Sequence, residues 1–257
     1  MIFYKYQGTG NDFILLDNRE GNISLTNPQV AFLCNRHFGI GADGLMLLEL
    51  AEGYDFKMVY YNSNGRESTM CGNGGRCMAA FAQYLGIIQT ETNFIAIDGA
   101  HKATIADNGR VNLHMVDVPT MTIEPEYTII NTGSPHYVLW VEHVQQTDVY
   151  NRGKSIRYND AFKPGGVNVN FVQQGNDQLI VRTYERGVED ETLSCGTGVT
   201  AAAIASVGRL TGTYTIPVET PGGHLEVSFV KTTPFSAHEV VLTGPAKFVF
   251  KGEIELK

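Results

Sequence analysis

The sequence predicts an α+β protein of two pseudo-symmetric domains, each a mostly antiparallel or mixed sheet wrapped around one central helix. Three observations carry this. A Thr-Gly turn running into an apolar stretch occurs at Thr9-Gly10-Asn11-Asp12-Phe13-Ile14-Leu15-Leu16 and again at Thr132-Gly133-Ser134-Pro135-His136-Tyr137-Val138-Leu139. A Cys-Gly turn follows each at matching depth, 62 positions from Thr9 to Cys71 and 63 from Thr132 to Cys195, so turn and cysteine repeat together. After each cysteine comes a small-residue helix, expected over 73–85 and 197–210. The second is apolar nearly all round, as in a helix enclosed by protein.

The remaining elements follow in order. Alternating or β-branched runs predict strands at 57–61, 94–98, 110–115, 138–141, 168–172, 179–184, 225–230 and 239–242. A chain of 257 residues is compatible with one large domain or two, and the repeat selects two. Proline in Asp117-Val118-Pro119-Thr120 limits strand pairing, and the pattern restarts beyond it. The first domain is therefore expected over 1–117 and the second over 118–246. A last strand at 247–254 places the 247–257 segment back with the first. The acidic run Glu189-Asp190-Glu191 reads as solvated loop.

Composition narrows the function. A formal charge of −8 without a basic tract disfavours nucleic acid and anionic membranes as partners. The expected partner is a small molecule and, at most, a second copy of the chain as a homodimer. The first residues carry no apolar run long enough for a signal peptide, and no later stretch has membrane-spanning length, which points to the cytoplasm. Four cysteines, Cys34, Cys71, Cys77 and Cys195, are too sparse for a disulfide scaffold, and a reducing compartment keeps them as thiols.

A cysteine just before a helix sits at the positive end of the macrodipole, beside backbone N–H groups that have no partner within the helix; both favour thiolate. The glycines after Cys71 and Cys195 let an anion approach the backbone, so the same turns can hold a carboxylate or a developing oxyanion. Two such turns, one per half, can put a sulfur on each side of one carbon in the cleft between the halves. That is a two-base racemase or epimerase. No zinc-type cysteine pair, Walker loop or dinucleotide fingerprint is present, and the histidines show no ligand spacing, so neither a metal nor a cofactor is expected. Cys34 and Cys77 begin no helix and read as small buried hydrophobes.

These residues resemble the diaminopimelate epimerase family, whose members interconvert LL- and meso-diaminopimelate on the way to lysine and peptidoglycan. The carriers are Gly8-Thr9-Gly10-Asn11-Asp12-Phe13, the 35–43 segment ending Gly41-Ala42-Asp43, Tyr61-Asn62-Ser63-Asn64-Gly65, Cys71-Gly72-Asn73-Gly74-Gly75-Arg76-Cys77, Gly133-Ser134-Pro135-His136, Val167-Asn168, and the 184–192 segment running into Cys195-Gly196-Thr197-Gly198. The resemblance implies that Cys71 and Cys195 are the acid/base pair and that Gly72, Asn73, Gly196 and Thr197 hold the reacting carboxylate and its surroundings. It further implies that Asn11, Asn62, Asn168, Glu185 and Arg186 grip the substrate, and that His136, standing near a cysteine, and Glu185 support catalysis. Asparagine oxygens and Glu185 suit ammonium groups, and Arg186 suits a carboxylate.

Two positions depart from the family pattern: Gly44, commonly glutamine, and Ser134, commonly asparagine. Asn73 favours this family over the proline racemase branch, which usually has histidine there. Two alternatives stay open: racemisation of another amino acid of proline or hydroxyproline type, and a non-catalytic amino-acid-binding relative. Glu185 and Arg186 also fit a plain ion pair, and Asn11 and Asn62 fit ordinary turns.

Overall fold

A computed structural model describes residues 1–256. Two compact units divide them: Met1–Leu113 together with the stretch from Gly244 onward, and His114–Thr243. The division precedes the Asp117–Thr120 stretch expected as the boundary. Val118 already bridges Ala237 inside the second unit, so the proline stretch lies within that unit and not at the division.

The first unit contains β1 (Ile2–Gly8), β2 (Asn11–Asp17), α1 (Asn27–Cys34), β3 (Gly44–Glu49), β4 (Phe56–Asn62), β5 (Glu67–Ser68), α2 (Gly72–Tyr84), β6 (Glu91–Ala96), β7 (Gly99–Ile105) and β8 (Val111–His114). Its sheet runs β1-β2-β3-β4-β6-β7-β8, with β5 folded back on β4. The pairs β2–β3 and β4–β6 are parallel, so each needs a crossover, and α1 and α2 supply them.

The second unit repeats this plan with β9 (Met121–Ile123), β10 (Tyr127–Asn131), β11 (Pro135–Trp140), α3 (Val149–Arg157), β12 (Asn168–Gln174), β13 (Leu179–Glu185), β14 (Asp190–Thr192), α4 (Gly196–Ser206), β15 (Gly212–Thr220), β16 (Gly223–Lys231) and β17 (His238–Gly244). Here β11–β12 and β13–β15 are the parallel pairs, bridged by α3 and α4. The last strand, β18 (Lys247–Glu253), pairs antiparallel with β1.

Each central helix is enclosed as its sequence predicts. Val199, Ala201, Ala202, Ala203 and Ile204 of α4 are fully buried against Val138, Val172, Val181, Val218, Val227 and Leu242. Helix α4 ends at Ser206 rather than near Leu210, because Gly208 takes a left-handed backbone (φ 54°). Strand β3 is covered on both faces: Val30, Leu33 and Cys34 of α1 join the core of Leu45 and Leu47, while Gly74 of α2 lies over Met46. Among the described residues no helix is long and apolar enough to cross a membrane.

Candidate active site

Cys71 and Cys195 occupy the same place in the two units. Each is the N-cap of its central helix, with extended backbone (φ −101°, ψ 133° and φ −114°, ψ 111°), and neither sulfur caps the helix. The intrahelical ladder begins with Gly75 N–H donating to Cys71 O and Val199 N–H donating to Cys195 O. The N–H groups of residues 72–74 and 196–198 therefore precede it, at the positive end of each helix. None of the four cysteines is in a disulfide. Cys71 is half-buried and Cys195 only 7% exposed. Burial pushes the Cys34 and Cys77 thiols up to about 12, leaving them inert as acids at neutral pH.

The repeated Thr-Gly turns pin these helix starts. Thr132 Oγ1 donates to Thr197 O at 2.8 Å. Thr9 Oγ1 donates to Asn73 Oδ1 at 3.4 Å. Thr9 holds a left-handed backbone (φ 49°), uncommon for a β-branched residue, to make that reach.

Around Cys71 the amide of Asn11 is held from both ends. Its Nδ2 donates to Asp43 Oδ2 at 2.6 Å. Its Oδ1 accepts from Asn73 Nδ2 at 3.3 Å and from Cys71 Sγ at 3.7 Å. Asp43 is in turn paired with Arg36 at 2.9 Å, and Arg36 also pairs with Asp12 at 2.7 Å. Burial alone would raise the Asp12 carboxyl, but hydrogen bonds from Arg36 and Lys5 outweigh it and hold it down to about 2. Arg76 of α2 is fully buried and donates to Asn73 Oδ1 (3.0 Å), Gly72 O (3.2 Å) and Thr9 Oγ1 (3.4 Å). Burial lowers it only to about 10, so it remains a cation. Asn62 stands exposed at the end of β4, opposite Gly44. A Cβ at Gly44 would lie 2.5 Å from Tyr60 Cε2 and 2.7 Å from Tyr61 O: the Tyr60 ring fills the space a glutamine stem would need.

In the second unit Cys195 Sγ lies 3.5 Å from Thr197 Oγ1. Asn168 donates to Ser134 Oγ (2.7 Å) and Pro135 O (3.1 Å) and accepts from Arg186 N–H (2.8 Å). The Arg186 guanidinium reaches Gly165 O (3.3 Å) and Ser134 Oγ (3.5 Å). Glu185 Oε2 accepts from Thr192 Oγ1 at 2.9 Å. His136 is fully buried and bonded through Nδ1 to Asn170 Nδ2 at 2.9 Å. Burial first, and Arg186 second, push its ring down to about 3, so it is neutral.

The acidic run differs from its expected loop. Asp190–Thr192 is β14, Glu191 pairs with Arg182 through two 2.6 Å bonds, and Glu189 pairs with Arg157 at 3.1 Å. Sequence reasoning also passed over Arg76, Arg36 and Asn170. Arg76 did carry a signal: a charge three residues after Asn73 on an otherwise apolar helix.

Solved structures share the fold across nearly the whole chain. A PhzF-family phenazine biosynthesis protein from Bacillus anthracis aligns at TM-score 0.77 with 13% identity, covering 100% of this chain and 99% of that one. A hydroxyproline epimerase from Agrobacterium vitis, solved with trans-4-hydroxy-L-proline, aligns at 0.67 with 16% identity, covering 98% and 91%. Fold and site thus define the class: a duplicated sheet-around-helix protein with a cysteine thiol at the start of each central helix. Within it, the family model described as diaminopimelate epimerase matches residues 3–122 and 128–249. Curated diaminopimelate epimerases are 52% identical in Flavobacterium psychrophilum (99% of this chain, 100% of the relative) and 42% in Chlorobaculum tepidum (97% and 99%). The chain belongs to the diaminopimelate epimerase family.

Proposed function

We propose that the protein is an isomerase that interconverts LL- and meso-diaminopimelate by inverting one Cα, with Cys71 and Cys195 as the two acid/base groups. The observation that supports this best is the repetition of a cysteine thiol at a buried helix start in two copies of one topology, within a chain of this family. One sulfur, as thiolate, takes the Cα proton. Negative charge then develops on the α-carboxylate, where N–H groups of 72–74 and 196–198 are suited to receive it. The other sulfur, as thiol, gives a proton to the opposite face, and the reverse reaction exchanges the roles. Both proton transfers are supplied by thiols, so the scheme calls for no cofactor.

The grip divides by chemistry. Asn11, Asn62, Asn73 and Asn168 offer carboxamides, Glu185 an acceptor for ammonium, Arg186 and Thr197 donors for oxygen, and His136 a neutral ring in support. The reaction belongs in the cytosol, whose reducing pool keeps both sulfurs as thiols.

Incubation with LL-diaminopimelate in heavy water is expected to place deuterium at one Cα as the meso form accumulates, measured by NMR and mass spectrometry. No incorporation at any pH would overturn the proposal. Faster exchange on proline than on diaminopimelate would move the substrate to the other racemase type. A wild-type enzyme matched in every exchange assay by the Cys71→Ser, Cys195→Ser double variant would leave only a binding protein.

A further inference from the structure

The duplication provides an internal control for the layer beneath each helix start. Strand register aligns Phe13 opposite Gly44, and Met46 opposite Tyr60, with His136 opposite Asn168, and Asn170 opposite Thr183. Phe13, Met46, Tyr60 and Gly74 of the first unit thus correspond to His136, Asn170, Thr183 and Gly198 of the second. In the first unit the Phe13 and Tyr60 rings meet edge to face at 6.1 Å, and Gly74 lies over the Met46 thioether. In the second the layer is a polar chain, although the fold demands only a packed core at these positions.

That chain has a direction. Thr183 Oγ1 donates to Asn170 Oδ1 at 2.9 Å, and on the other side of the amide Nδ2 faces His136 Nδ1 at 2.9 Å. A donor aimed at Nδ1 requires a bare lone pair there, so the neutral ring carries its proton on Nε2. Nε2 is buried and has no hydrogen-bond partner among the described residues. Asn170 and His136 are fully buried and Thr183 nearly so, where an unsatisfied donor costs ~1–3 kcal/mol. Each side-chain polar atom of the chain makes a hydrogen bond except this Nε2. Gly198 belongs to the same device: a Cβ there would lie 2.3 Å from Asn170 Oδ1, so only glycine leaves room for the amide beneath the first turn of α4.

We propose that Asn170 is a positioning residue that locks His136 as the Nε2–H tautomer, presenting a fixed neutral donor to the reacting groups, with Thr183 orienting the amide and Gly198 making room for it. This rests on the reading above that His136 supports the proton transfers.

The test combines a tautomer measurement with kinetics. In protein labelled with ¹⁵N-histidine, the ring of His136, assigned by its disappearance in His136→Phe, is expected to show a protonated Nε2 and a bare Nδ1. Asn170→Asp, nearly isosteric, is expected to put a proton on Nδ1 and lower kcat/KM for diaminopimelate by about 10²-fold, the order of losing one preorganised donor. Thr183→Val, a milder change that keeps the Asn170 side chain, is expected to yield a mixture of tautomers and a smaller loss. A bare Nε2 in the wild type overturns the proposal. So does Asn170→Asp with Nδ1 still bare and kcat/KM within twofold. Should the wild type fail to exchange any diaminopimelate, the function proposed above falls; the tautomer measurement still decides the role of Asn170.

Discussion

The side-chain amide of Asn11 has no intrinsic reason to present oxygen rather than nitrogen to Cys71; Asp43 decides it. Replacing Asp43 with alanine removes the 2.6 Å acceptor for Asn11 Nδ2, the 3.2 Å acceptor for Asp12 N–H and the 2.9 Å partner of Arg36. A hydrogen bond to a charged group contributes ~1.5–3 kcal/mol, and the half-buried Asn11 takes the lower end. The Arg36 pair has side chains 56% and 44% exposed, so it adds only ~0–1 kcal/mol. The expected loss is about 2–3 kcal/mol, roughly 4–12 °C in Tm for a chain of this size. With the amide free to turn, kcat/KM should fall by about tenfold, ~1.4 kcal/mol, and mostly through KM if Asn11 grips ground and transition states alike. Asp43→Asn keeps a neutral acceptor for Asn11 and should cost about 1 kcal/mol with kcat/KM within threefold. Calorimetry and steady-state kinetics on both variants decide the matter. Asp43→Ala melting within 1 °C of wild type with unchanged kcat/KM would refute the clamp; equal losses in the two variants would assign the effect to charge rather than to the acceptor.

Cys71→Ala and Cys195→Ala should each abolish epimerisation, because each direction needs one base and one acid; near-normal turnover in either, followed by meso-diaminopimelate formation, would sink the two-base scheme. Gly74→Ala and Gly198→Ala should differ in sign. The first meets the flexible ends of Met46 at 3.3 Å and Met58 at 3.5 Å and can gain up to ~1 kcal/mol of helix propensity, whereas the second strikes Asn170 at 2.3 Å and should lose ~1–3 kcal/mol, both read from denaturant midpoints. His136 is held neutral at about 3, below its unfolded value near 6.5, so its contribution to stability is present above pH 6.5 and is lost as pH falls toward 3. By pH 4.5 that loss is about 2–3 kcal/mol, and in His136→Phe the stability–pH slope between pH 6.5 and 4.5 should flatten; an unchanged slope would show that His136 does not titrate there.

What was legible in the sequence was what duplication writes twice. The Cys-Gly turns, the enclosed α4 and every strand expected from alternation have counterparts in the structure, because period-2 patterning survives where one face is covered and the other wet. Strand β3 was not among those strands for a physical reason: Leu45-Met46-Leu47-Leu48 is covered by α1 on one face and α2 on the other, so it shows no alternation. Helices α1 and α3 were passed over because they are short, although Thr26 and Gln29 form a capping box and Asp148 caps α3. At the candidate site the thiols could be read from their position before a helix. The residues that aim the site's side chains could not: Asp43 and Asn170 act through partners distant in sequence, and only folding brings Asp43 to Asn11 or Thr183 to Asn170.

The two copies differ in a way the proposed chemistry explains. Reversal of an epimerisation exchanges acid and base, so the parts that make a sulfur usable are the same in both units: an N-cap cysteine, glycine beside it, and a threonine from a Thr-Gly turn pinning the first turn. The substituents around the reacting carbon are not exchangeable, so the parts that would recognise them have no reason to match. They do not. Thr9 pins its helix through the side chain of Asn73, which draws that amide into a network with Asn11 and Arg76. Thr132 pins its helix through the backbone of residue 197, which leaves the Thr197 hydroxyl beside Cys195. One duplicated device thus leaves the carboxamide oxygen of Asn11, held by Asn73, at one sulfur and the Thr197 hydroxyl at the other, which makes two equivalent helix starts chemically inequivalent.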